Sequence, residues 1–156
     1  FHVTLDGNKL PLSHRAGGAG DIEIITDTYA LLIEATLMDK NTQRRGELEP
    51  VIRHSINFTL EQSAYNTQTI FIANEIDENV INIFRSTQFI QLEGTVQTGT
   101  VDGLNIFALT TKEIIQLLKL NKSDSFILET INSNLDTSPT TIKPGWRQPV
   151  LDVILN

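Results

Sequence analysis

"GGAGDIEIITDTYALLIEATL", residues 17–37, reads as a glycine-rich loop leading into two strands. Strands are expected over 21–26 and 29–37, and the Asp27-Thr28 link between them is short enough to make the pair a hairpin. Successive side chains of a strand point to opposite faces. Leu32, Glu34 and Thr36 therefore share one face of the second strand, with Leu31, Ile33, Ala35 and Leu37 on the other. Asp21 and Glu23 share a face of the first. Hairpin pairing lets Asp21 and Glu34 point into one cleft near the end of the sheet. Two carboxylates held a few ångströms apart raise each other's pKa unless a cation lies between them. An oxygen-lined Mg²⁺ site resolves that conflict, because the ion favours one or two carboxylates completed by water and phosphate oxygens. Taken singly, each acid has a plainer reading: Glu34 as an edge residue reaching solvent or an Arg, and Asp21 as a turn residue.

Working outward, turn signals lie upstream at Asp6-Gly7 and Pro11. Downstream, the polar stretch 38–46 precedes a helix expected to start near Pro50, since proline suits the first helical position. That helix runs through Val51, Ile52, Ile56 and Leu60 to about residue 64. The apolar run 69–75 reads as a buried strand, and 77–89 as a helix with Val80, Ile81 and Phe84 on one face. A strand ending at Leu109 leads into a helix whose Thr110 and Glu113 have capping-box spacing and whose buried stripe is Ile114, Leu117 and Leu118. A further helix is expected over 124–134, a loop over 136–146, and a closing helix within 147–156. A hairpin followed by alternating helices and strands gives an α/β domain: a mixed central β-sheet flanked by helices.

Composition sets limits on function. The 156 residues, 40% hydrophobic and 20% charged, suit one globular domain with a real core. The absence of cysteine excludes disulfides, thiolate metal sites and a Cys nucleophile, and fits a reducing, intracellular setting. A net charge of −7 argues against the domain gripping DNA or an acidic membrane alone. No apolar run approaches the roughly 18 residues needed to span a bilayer, and no signal-peptide pattern opens the sequence. The sequence starts at Phe1, so a fragment or subunit of a larger protein is expected. No helix and no Lys-Ser/Thr pair follows Gly17, Gly18 and Gly20, which rules out a nucleotide P-loop.

The continuation "IEATLMDKNTQRRGELEPVIRH" adds Gln43, a third acid at Glu47, and Arg53-His54 on the helix. Asp21, Glu34 and Glu47 are spaced by 13 residues each, and His54 lies 20 beyond Glu34. The glycine-rich lead-in to "DIE", the "EATL" strand, Gln43, Glu47 with Glu49-Pro50, and "VIRH" occur in the order found in a known family. Together they resemble the catalytic domain of AlwI-like type IIS restriction endonucleases, a branch of the PD-(D/E)XK superfamily that includes strand-specific nicking enzymes. The motifs span residues 17–54, about a quarter of the chain.

The resemblance implies a PD-(D/E)XK core that hydrolyses DNA phosphodiester bonds. Asp21 and Glu34 would be the metal-binding carboxylates, the carbonyl of Ala35 an extra ligand, and Glu47 a metal ligand or water-positioning group. Mg²⁺ is the implied cofactor, with Mn²⁺ able to replace it. Gln43 would bond the attacking water or a phosphate oxygen. His54 would contact the phosphate or support Glu47. A solvated Gln43 and a structural His54 stay open as readings, and Arg53 is expected to pair with an acidic neighbour or a phosphate. Gly17, Gly18 and Gly20 would permit close approach of backbone or DNA, with His14 and Arg15 touching phosphates. Where the superfamily has a lysine two residues after the acid, this sequence has Thr36, which can neither act as a base nor supply positive charge. The AlwI-like branch shares that substitution. The implied partners are double-stranded DNA, a separate DNA-recognition domain or large subunit, and a transient homo- or heterodimer of cleavage domains, in the cytoplasm of a bacterial or archaeal cell, with no membrane. A structure-specific repair or junction nuclease of the same superfamily, or an inactive dimerisation or scaffold module, are the alternatives.

Overall fold

In a computed structural model that describes residues 20–156, the hairpin forms where the sequence places it. The turns expected at Asp6-Gly7 and Pro11 lie outside the described residues. β1 (Ile22–Ile25) pairs antiparallel with β2 (Tyr29–Thr36), Ile22 facing Ile33. Thr26 closes the turn: its N–H and hydroxyl both donate to the Tyr29 carbonyl, at 2.8 and 3.1 Å, and Tyr29 N–H donates back to Thr26 Oγ1 at 2.9 Å.

The polar stretch after β2 is a short helix, α1 (Lys40–Gly46), where the sequence pattern predicts no element. Its N-cap is Asp39, whose Oδ1 accepts from Thr42 N–H at 2.8 Å and whose pKa is lowered by that bonding. Only Gln43 of this helix is buried, so it carries no apolar periodicity to read. α2 (Leu48–Glu61) starts two residues before Pro50. The proline still lies in the first turn, where backbone N–H groups have no intrahelical acceptor, so its ring costs nothing there. β3 (Asn66–Ala73) follows, then α3 (Glu78–Ser86), capped by Asp77 Oδ1 on the N–H groups of Asn79 and Val80 at 3.0 and 3.1 Å.

A two-stranded antiparallel ribbon, β4 (Gln91–Glu93) with β5 (Thr100–Asp102), was not expected. Its strands are three residues each, too short for alternation to stand out. β6 (Ile106–Thr110) leads into α4 (Thr111–Leu120), where the capping box forms as expected: Glu113 N–H donates to Thr110 Oγ1 and Thr110 N–H to Glu113 Oε2. Leu117 is buried, but Leu118 is 72% exposed rather than part of the buried stripe. α5 (Asp124–Asn134) and α6 (Gln148–Ile154) complete the chain.

The main sheet has the order β1-β2-β3-β6, with β2, β3 and β6 parallel and β1 antiparallel. On one face Ile24, Leu31, Ile33, Ile70 and Phe107 pack with Leu117, Ile127, Ile131 and Ile154 from α4, α5 and α6. On the other, Phe71, Ala73 and Ala108 pack with Val51 and Ile56 of α2 and Val80, Ile81 and Phe84 of α3, while Leu32 meets Phe58. The expected mixed α/β sheet with helices on both faces is what forms. No helix among the described residues is long and apolar enough to cross a membrane.

Buried Asn57 of α2 holds the tip of the ribbon. Its Oδ1 accepts from three successive N–H groups, Thr95, Val96 and Gln97, at 3.0–3.2 Å, and its Nδ2 donates to Thr95 Oγ1 and the Arg53 carbonyl. Replacing Asn57 with Ala leaves these donors without an acceptor. It is expected to lower unfolding free energy by about 2 kcal/mol in urea titration and to strip exchange protection from the amides of residues 95–97. Unchanged protection there contradicts this role.

Candidate active site

Glu34 lies on the face of β2 that packs against α2 and is only 7% exposed. Residues two apart on a strand are roughly 6.6 Å apart, and residues four apart on a helix roughly 6 Å. Leu32 and Glu34 on β2 therefore match Phe58 and His54 on α2, one pair after the other. Leu32 packs with Phe58, and His54 Nδ1 lies 2.9 Å from Glu34 Oε1. The apolar contact and the polar one thus share a single docking geometry.

The Glu34 pKa is raised, chiefly because burial strips the carboxylate of water. The charges of Asp21 and Glu47 push it further the same way, while the His54 bond and charge oppose the rise. Both acids are therefore near enough for their charges to be felt at Glu34. Continuing the hairpin register by one residue sets Asp21 opposite Glu34. Asp21 is exposed, and its Oδ2 accepts from Ala35 N–H at 2.8 Å. Within a strand the N–H and C=O of one residue project to the same edge, so the Ala35 carbonyl lies on the Asp21 side.

Gly20 completes the close packing. A Cβ there would lie 2.2 Å from Leu32 Cδ1 and 2.5 Å from Glu34 Oε1, so only glycine lets this backbone pass the carboxylate. Gly17, Gly18, His14 and Arg15 lie outside the described residues. Thr36, at the lysine position, accepts from Met38 N–H at 3.1 Å and serves the turn after the strand.

Two expected roles are revised. Gln43 is fully buried and its amide is spent on backbone: Nε2 donates to the carbonyls of Met38 and Glu75 at 2.9 and 2.6 Å, and Oε1 accepts from Asp77 N–H at 3.2 Å. It ties the loop after β2 to the loop after β3 and is in no position to bond an attacking water. His54 supports Glu34 rather than Glu47. Glu47 sits at the α1–α2 junction, half-buried, with no side-chain cap bond. Among the described residues no three His, Cys, Asp or Glu side chains come close enough to form a ligand set by themselves, so Glu47 does not join Asp21 and Glu34 at ligand spacing. Arg53 pairs with Glu49 at 2.8 Å, as expected. The Gly20 contact and the Gln43 tie were not read from sequence. A glycine directly before the acid was the one available sign of the first.

The sequence matches the AlwI restriction endonuclease family over residues 2–117. The chain belongs to that family. Among solved structures, the small subunit of the heterodimeric restriction endonuclease R.BspD6I superposes with a TM-score of 0.62 at 19% identity, covering 97% of this chain and 75% of that one. At that identity the likeness is one of fold, and it covers α5 and α6, which lie beyond the residues that the family matches. No curated protein matches the sequence. Membership of the AlwI family supports a restriction endonuclease role for the chain.

Because folding raises the Glu34 pKa, the folded state holds this proton more tightly than the unfolded chain. Stability therefore falls as pH climbs from the ordinary carboxylate value through the raised one, and above it the buried charge is a standing cost. Without divalent metal at neutral pH, Glu34→Gln is expected to raise Tm by roughly 2 °C or more, the shift of about 1 kcal/mol in a domain this size. Gly20→Ala is expected to lower stability by about 1–3 kcal/mol through overpacking. Thermal unfolding of both variants checks the pair of opposite signs.

Proposed function

We propose that this chain is the cleavage domain of a type IIS or nicking restriction endonuclease, hydrolysing DNA phosphodiester bonds with Mg²⁺, or Mn²⁺ in its place. The observation that carries this reading is the buried Glu34 carboxylate near the end of β2, its pKa raised chiefly by burial, with Asp21 opposite it in the hairpin register. A buried acid of perturbed pKa beside a second carboxylate is a candidate functional group.

The donor set fits a hard divalent cation. Among the described residues, Asp21 engages one oxygen on Ala35 N–H and Glu34 engages one on His54, which leaves each carboxylate a second oxygen for a ligand. Two carboxylates and a carbonyl from Ala35 suffice for Mg²⁺, which keeps several waters and takes substrate phosphate. The metal when bound would lower the pKa of a water and offset charge on the scissile phosphate.

The rest of the chemistry falls to the chain. Asp21 and Glu34 hold the centre, and His54 fixes the Glu34 rotamer by occupying Oε1. Glu47, outside ligand spacing, orients the attacking water through its carboxylate. Thr36 supplies neither a base nor a charge, so no residue of β2 replaces the superfamily lysine. Gln43 acts by pinning the two loops that frame the strand ends.

An acidic chain of net −7 gains little affinity from DNA phosphates. Recognition belongs to a separate, more basic domain or large subunit, and cutting both strands to a pair of cleavage domains, in the cytoplasm of a bacterial or archaeal cell. Residues 1–156 form one cleavage domain in this reading.

Mixed with its native recognition partner and Mg²⁺, the wild type is expected to nick supercoiled plasmid. Asp21→Ala and Glu34→Ala should lose activity by at least about 100-fold, and His54→Ala by about 10–100-fold, the range for residues that orient metal ligands. Thr36→Ala should change it little. Equal nicking by wild type, Asp21→Ala and Glu34→Ala overturns the proposal.

A further inference from the structure

At the β6 edge of the sheet, two strands from Glu34, a second cluster takes no part in this chemistry. β6 is the edge strand there, and the segment after α5 covers it. Arg147 donates to the Ala108 carbonyl of β6, and Trp146 packs edge-on against Phe107 at 5.7 Å between centroids. Between this segment and the end of α3 lies a cavity of about 260 Å³, whose lining includes Arg85, Trp146, Lys143, Asp136, Thr140 and Thr141. At roughly 30 Å³ per water, it has room for a small ion and several waters.

Arg85 is the unusual member. It is 4% exposed, and its guanidinium lies 5.0 Å from the Phe89 ring centroid and 5.5 Å from that of Trp146. Nη2 donates to the Asp136 carbonyl, but Nη1 is buried and has no partner among the described residues. Trp146 Nε1 is likewise buried and unpaired among them. Buried donors left unpaired cost about 1–3 kcal/mol each, more for a charged group, so such pairs are rare in a finished core. Among the described residues no carboxylate forms a salt bridge with Arg85. Asp136 is near enough for its charge to be felt, yet its Oδ1 accepts from Ser138 N–H at 2.9 Å. The lining holds two cations, Arg85 and Lys143, against the single carboxylate of Asp136, in a chain whose net charge is −7.

We propose that this cavity binds a compact oxyanion, a phosphate or a carboxylate, which shifts the packing over Arg85 Nη1 and Trp146 Nε1 so that its oxygens accept from them, with Lys143 at the mouth. Guanidinium and indole N–H are donors without acceptor capacity, so the ligand must bring the lone pairs. An oxyanion also supplies the charge that Arg85 lacks, through the stronger, charge-assisted kind of hydrogen bond. Binding draws the 139–146 segment against α3 and so secures the cover over the β6 edge. The site is independent of the nuclease reading.

The chain has one tryptophan, Trp146, so its fluorescence reports this cavity alone. The full chain is titrated with inorganic phosphate and, separately, acetate at constant ionic strength, with chloride as control, following fluorescence and Tm together. A saturable change with either oxyanion, absent with chloride, is the expected result, and the tighter of the two identifies the ligand's chemistry. Arg85→Gln should weaken binding by about tenfold or more, and Lys143→Ala, an exposed position, by about twofold to fivefold. If Arg85→Gln does not fold, Lys143→Ala decides. No saturable change, an equal response to chloride, or unaltered affinity in the variants overturns the proposal.

Discussion

The contact between Glu34 on β2 and His54 on α2 is the constraint around which this domain is arranged. A carboxylate at 7% exposure is costly unless it is bonded or neutralised, and His54 meets only one of its oxygens. The surrounding core can carry that cost. Fully buried neighbours such as Leu32 and Phe71 contribute about 1.5–3 kcal/mol each, and both flank Glu34 in the sheet. The strain is therefore local, and it sits where the hairpin brings Asp21 and the α1–α2 junction brings Glu47.

Topology explains why these groups meet. The crossover from β2 to the parallel β3 must return along the sheet, and α2 does so antiparallel to β2. Its register on the strand is set by Phe58 against Leu32, which delivers His54 to Glu34 one turn away. Gln43 makes the same end of the sheet rigid by bridging the loops that leave β2 and β3. Gly20 lets the incoming chain pass close enough for Asp21 to reach Ala35. Each of these parts is a backbone or packing device, and the proposed chemistry falls to the acids and His54.

The hairpin, its alternation and the Asp21–Glu34 pairing were legible in the sequence because a period of two fixes which side chains face each other. The Thr110–Glu113 capping box and α5 were legible for similar local reasons. α1 was not, since a helix that buries one glutamine shows no apolar stripe. Leu118 looked like core by spacing alone, yet the helix turns it to solvent, and spacing cannot say how wide the buried face is. The roles of Gln43 and His54 depended on contacts with residues 32–34 positions and 20 positions away in sequence, which no local pattern encodes. The Arg85 cavity, built from α3 and a loop some 50 residues later, is of the same kind.

In the proposed function Glu34 is a carboxylate awaiting a cation. NMR titration of the Glu34 side-chain carboxyl, with and without Mg²⁺, measures this directly. Without the ion the pKa should lie above the ordinary glutamate value, and with it the pKa should fall clearly below its metal-free position. An ordinary pKa that Mg²⁺ leaves unmoved contradicts the account.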